Sequence, residues 1–167
     1  MLKKAITIFA MSLFPLSAYA VDVPIEGTVQ SRCVITTDTP GVYGNPNAYT
    51  LTTTPADGGV KPIVRFDVTL ADAYYAQITT PTSFDTSPSL GDTVTWTGST
   101  SVSAVSDATN MADYETNKVT FGQTTQYDLT ATGSTWFTSS STATYGGSKA
   151  FPGGTYAATV EAVCIAQ

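Results

Sequence analysis

The side chains suited to chemistry are few and widely spaced. Cys33 and Cys164 stand near opposite ends of the chain, and there is no histidine. Without an imidazole no Ser-His-Asp triad can form, however abundant the serines, and the usual proton shuttle and metal ligand is missing. Two thiols alone leave too few soft ligands for a metal centre. Asp113 and Glu115 are the one close acidic pair. Two carboxylates hydrolyse a glycoside only at a particular separation in space, which spacing along the chain does not reveal. Asp57-Gly58 and Asp92 resemble fragments of calcium loops, but no run supplies alternating acidic ligands, so they read as polar turns. Trp96, Trp136 and nine tyrosines offer faces that stack on sugars, although core packing is the commoner use of such rings. The expectation is a protein without catalytic, cofactor or metal residues.

The elements that hold these residues follow from composition. A chain of 167 residues, 42% hydrophobic and only 12% charged, is long enough for one domain with a proper core. Abundant Thr and Ser with 13 Gly and 9 Pro suit strands and tight turns, which argues against a helical bundle. The formal charge of −6 and the scattered Lys and Arg provide no footprint for a phosphate backbone, so no nucleic-acid partner is expected.

Lys3 and Lys4, an apolar run over residues 5–16, and Ala18-Tyr19-Ala20 have the three parts of a cleaved secretory signal over residues 1–20. The run contains Pro15 and is too short to cross a bilayer of about 30 Å, and no later stretch is long enough. Val21 rather than Cys follows the predicted cut, so no bacterial lipid anchor is indicated. Loss of Lys3 and Lys4 takes the formal charge from −6 to −8. In an oxidising compartment two thiols most simply form one structural disulfide. In the chain-entropy picture so long a loop stabilises by about 5 kcal/mol. Arg32 beside Cys33 is a thin basic neighbourhood for a redox role.

Along the expected mature chain, short alternating stretches recur between turn signals, the mark of an antiparallel sandwich or barrel. Val21, Val23, Ile25, Gly27 and Val29 share one face of the first stretch, and residues 33–37 continue extended. Pro40, Gly41, Gly44, Asn45 and Pro46 predict a surface loop, and residues 55–59 a turn. Val64, Phe66, Val68 and Leu70 form one face of a strand whose other face carries Arg65, Asp67 and Thr69; residues 71–73 then predict a hairpin into residues 74–80. Val94 with Trp96 and Val102 with Ala104 predict two further strands, residues 81–91 a loop, and Met111 and Tyr114 one helical turn within residues 107–117. Val119 with Phe121 and Tyr127 with Leu129 resume the alternation, residues 136–145 suit strand or loop, and Pro152-Gly153-Gly154 precede a final stretch from Thr155. No repeat or internal linker divides the chain. On pattern alone the first stretch is either an ordinary first strand of a closed domain or a strand free to be donated to another molecule.

Val23-Pro24-Ile25-Glu26-Gly27-Thr28-Val29 followed by Cys33-Val34-Ile35 resembles the start of mature pilin subunits of the chaperone–usher pathway. Gly154 with the alternating Tyr156, Ala158, Val160, Ala162 and Cys164 resembles the final strand that the periplasmic chaperones of that family hold. The penultimate Ala166 stands where many of those subunits carry Tyr, and their first cysteine pairs early in the domain, whereas here the one partner is Cys164. The resemblance implies an all-β, immunoglobulin-like antiparallel β-sandwich, incomplete until donor-strand exchange fills it. Residues 1–20 would be the signal, 21–32 the donor extension and 33–167 the pilin domain. Val23, Ile25 and Val29 would fill pockets, and Gly27 would stand where any side chain collides. Gly154, Tyr156, Ala158, Val160 and Ala162 would form the chaperone-contact strand. The implied partners are further copies in a homopolymer, a periplasmic chaperone, an outer-membrane usher and a surface receptor. Export would run through the periplasm to a fimbria on the cell surface, supporting adhesion or biofilm. A self-contained exported sandwich that binds carbohydrate is the alternative reading.

Overall fold

The computed structural model describes residues 32–69 and 73–167. They form ten strands in two antiparallel sheets: β1 (Cys33–Thr39), β2 (Gly44–Asn47), β3 (Thr50–Thr52), β4 (Ile63–Val68), β5 (Tyr74–Thr79), β6 (Val94–Val105), β7 (Val119–Phe121), β8 (Thr124–Leu129), β9 (Gly133–Tyr145) and β10 (Glu161–Ala166). The first sheet has the order β1-β4-β9-β3-β2, with β6 along the other side of β9. The second has the order β10-β5-β8-β7. No helix among the described residues is long and apolar enough to cross a membrane.

Alternation decides what faces inward. Val64, Phe66 and Val68 of β4 are buried while Arg65 and Asp67 are half-buried on the outer face, where they pair at 3.0 Å. Tyr74, Ala76 and Ile78 of β5 face them from the second sheet, joined by Tyr127 and Leu129 of β8. Phe137 of β9 is the centre, its ring 5.4 Å from Phe66 and 4.5 Å from Tyr127. Met111 and Tyr114 cover one end of this core, and the Tyr114 hydroxyl accepts the Ala131 N–H at 3.0 Å.

Several expectations are corrected. The predicted hairpin across residues 71–73 does not form, because β4 and β5 belong to different sheets and β5 pairs with β8 and β10; Leu70 lies outside the described residues. The predicted loop at residues 40–46 contains β2, paired with β3 only at Gly44 and Asn47, so its proline lies on an edge where no N–H is needed. The two strands predicted around Trp96 and Val102 are one, β6, paired with β9 throughout and bulged near Val102. Residues 107–117 make the helical turn expected around Met111 without a continuous helix: the Met111 and Asn117 N–H groups donate to the Asp107 and Asp113 carbonyls four residues back, and the Asp107 carboxylate takes the Thr109 and Asn110 N–H groups as an N-cap does. The last strand begins at Glu161, so Tyr156, Ala158 and Val160 precede it, and Ala157 bridges to Thr86 instead.

The outer side of β6 is an exposed edge. Glu115 accepts the Val102 N–H at 2.8 Å, Lys118 donates to the Thr100 carbonyl at 3.2 Å, and the two side chains form an ion pair. Charged side chains laid on an edge occupy groups that a foreign strand would otherwise take.

Candidate functional site: a groove between the first and last strands

Among the described residues β1 and β10 are edge strands of their sheets, each with a single strand neighbour, and the bridge between them puts them on the same flank. Cys33 at the start of β1 is bonded to Cys164 near the end of β10, with their Cα atoms 6.4 Å apart. The disulfide expected from the sequence is present. β1 runs away from the bridge while β10 runs toward it, so the two edges point in opposite senses. A strand laid between them would be antiparallel to one and parallel to the other.

Beyond the bridge the edges part and a groove of about 500 Å³ opens. One wall is Thr37 and residues 40–43; the other is residues 156–160, which lead into β10. Buried Val64, Thr53 and Ser141 form the floor, with Pro62 and Pro81. Backbone alternation sets which groups face the groove flank. The Arg32 carbonyl accepts the Thr69 N–H at 3.1 Å, continuing the β1–β4 pairing, so the N–H and C=O of Ile35 and Thr37 point to the unpaired side. The Gln167 N–H donates to Ala73, so on β10 the outward-pointing groups belong to Ala162 and Cys164.

The walls are held by local chemistry. Val42 and Val60 exchange backbone hydrogen bonds at 2.9 and 2.8 Å, anchoring the first wall. That contact depends on Gly59, where a Cβ would stand 2.4 Å from the Thr52 carbonyl oxygen. Ala157 exchanges hydrogen bonds with Thr86, and Thr159 Oγ1 donates to Asp85 at 2.6 Å, anchoring the second wall. The floor is polar but paired: Tyr43 Oη and Ser141 Oγ share a hydrogen bond of 2.9 Å, and the Ser141 N–H donates to Thr53 Oγ1 at 2.9 Å. Burial pushes the Tyr43 phenol above its usual range, the Ser141 hydrogen bond opposes this, and Asp85 adds to it.

Of the residues singled out in the sequence, Tyr156, Ala158 and Val160 line the groove. Ala162 and Cys164 face inward and pack against the core. Gly154 does not reach the groove; its φ of 154° and the 2.5 Å approach of Pro88 to a hypothetical Cβ explain a glycine there. Val23, Ile25, Gly27 and Val29 lie outside the described residues, as does the signal expected over residues 1–20. The sequence reading did not identify Tyr43, Thr53, Val64 or Ser141 as lining. The signal was present in β9, whose inward row changes from Phe137 to the small Ser139 and Ser141.

Other candidate chemistry is accounted for by pairing. Among the described residues no three potential ligands group for a metal ion. Asp92 pairs with Lys149 at 2.6 Å and Glu115 with Lys118. Trp136 carries the Arg65 guanidinium 5.9 Å over its ring, and Trp96 packs edge-on against Phe84 at 4.7 Å. Phe84 also touches Tyr43, Phe151 and Tyr156, so these rings form a second apolar cluster beside the groove. No known protein family, curated protein or solved structure matches the chain.

Proposed function

We propose that the protein is a structural subunit of a bacterial surface fimbria, an incomplete immunoglobulin-like sandwich whose groove receives residues 21–31 of a neighbouring copy. The observation that carries the reading is a groove lined by Thr37 of β1, residues 40–43 and residues 156–160, on the flank where β1 and β10 are edge strands among the described residues. An alternating apolar segment leads directly into one of those edges. An added strand would gain main-chain hydrogen bonds from the edge groups, while alternate side chains set its register. Burying Val23, Ile25 and Val29 on the groove floor contributes roughly 5 to 9 kcal/mol. The contact is head-to-tail and does not close, so copies extend into a fibre. Before assembly a periplasmic chaperone strand would occupy the groove, and an outer-membrane usher would exchange it for the next subunit.

The test is assembly of the full chain exported into the periplasm of a bacterial host, followed by size-exclusion chromatography and electron microscopy. Wild type is expected to form linear multimers or to require a chaperone for recovery. Deletion of residues 21–31, or Gly27→Leu, is expected to abolish multimers. A stable monomer from the wild-type chain, unchanged by the deletion, refutes the reading.

A further inference from the structure

We propose that the Cys33–Cys164 bridge is a stop that bars the leading segment from its own groove and so directs it into a second copy; this rests on the fimbrial reading above. Residues 21–31 join β1 at its bridged end, since β1–β4 pairing already extends to Arg32. To fill its own groove the segment must double back and run beside β1 from that end.

That path is closed. A strand hydrogen-bonded to both edges needs them about 9.6 Å apart, twice the spacing of about 4.8 Å between paired strands. At the bridge the Cα atoms of the two edges are 6.4 Å apart. The half-cystines also pack against the core cluster, so they occupy the interior that an inward-pointing side chain would need. The groove is therefore blind at the bridged end, and at the other end the Phe84 ring touches both Tyr43 and Tyr156, so its access is along the flank between residues 37–43 and 156–160. A segment from a second copy enters from the flank and never passes the bridge. The same stop limits how far that segment slides in, and so fixes its register.

The experiment compares three full-length chains exported from the same host. In the first variant a Gly/Ser linker of about sixteen residues, with a mean reach of about 22 Å, is inserted between Ser31 and Arg32. That reach matches the length of the seven-residue β1, about 23 Å, and the bridge stays intact. The second variant is Cys33→Ser/Cys164→Ser. Wild type is expected to assemble, and a synthetic peptide of residues 21–31 in excess is expected to cap it. The linker variant is expected to lose multimers at least tenfold and to have no groove free for the peptide, because its own segment now goes around the bridge. The double-Ser variant, where circular dichroism shows it folded, is expected to behave like the linker variant. A linker variant that assembles as fully as wild type overturns the stop. A peptide with no effect on wild type, together with wild-type behaviour unchanged by deletion of residues 21–31, overturns the fimbrial reading instead.

Discussion

Tyr127→Phe is expected to stabilise the fold. Tyr127 is 0% exposed, its ring packs 4.5 Å from Phe137, and its hydroxyl has no hydrogen-bond partner among the described residues. A buried hydroxyl that has lost water and gained nothing costs about 1 to 3 kcal/mol, so removing the oxygen while keeping the ring should return about that much at pH 7. The effect should grow in alkali. Burial, then the negative charge of Glu115, pushes the phenol well above its usual 10.0. Above pH 10 the unfolded chain releases this proton while the folded chain keeps it, so the unfolded state binds fewer protons and wild-type stability falls as pH rises. The loss is about 1.4 kcal/mol per pH unit, so by pH 11 the gap between variant and wild type should widen by about 1.4 kcal/mol. Tyr43 and Tyr156, also raised mainly by burial, titrate in both proteins and cancel in the difference. Urea unfolding followed by fluorescence at pH 7 and pH 11 measures both values. A variant less stable than wild type at pH 7, or a gap that does not widen, refutes the reasoning.

Phe137→Ala removes the ring shared by both sheets and is expected to cost about 3 to 5 kcal/mol in the same urea assay. Gly59→Ala must push its Cβ away from the Thr52 carbonyl, displacing Val60 from Val42. It is expected to cost about 1 to 3 kcal/mol and to speed hydrogen exchange at the Val42 amide before that at Phe66. Replacing both cysteines by Ser opens a loop with a sequence separation of 131 and is expected to cost about 5 kcal/mol, read as a fall in thermal midpoint.

What could be read from the sequence was whatever local alternation determines. β4 shows this most clearly, because Val64, Phe66 and Val68 take one face within a single strand. The all-β character and the disulfide were likewise accessible, from composition and from cysteine arithmetic. Partner choice was not. The residues after Val68 look like a hairpin turn, yet β5 pairs with β8 from some 50 residues downstream and with β10 at the end of the chain. A turn signal records that the chain bends and says nothing about which sheet it bends into. β2 was hidden because Gly, Asn and Pro are turn residues, and an edge pairing at two positions tolerates them. The groove was hidden for a related reason: its lining comes from segments scattered between Thr37 and Val160, brought together only by sheet order.

The change along β9 explains why the groove stays open and yet suits an apolar occupant. Toward the bridged end the inward positions carry Phe137 opposite Phe66 and Tyr127, and the sheets close on bulky side chains. Away from the bridge they carry the small Ser139 and Ser141, of which Ser141 lines the groove. A void lined by unpaired hydroxyls would fill with water or collapse, and covering it with a hydrocarbon strand would cost about as much as it gained. Here each hydroxyl is already satisfied sideways, Ser139 by Thr100 at 3.2 Å and Ser141 by Tyr43 at 2.9 Å. A strand that lays Val and Ile side chains over Ser141 strips no unpaired hydroxyl of its water, so the gain from apolar burial is kept there. On the proposed reading, small paired hydroxyls on the floor and a covalent bridge at one end would let the groove take a strand from a second copy and bar the one attached to it.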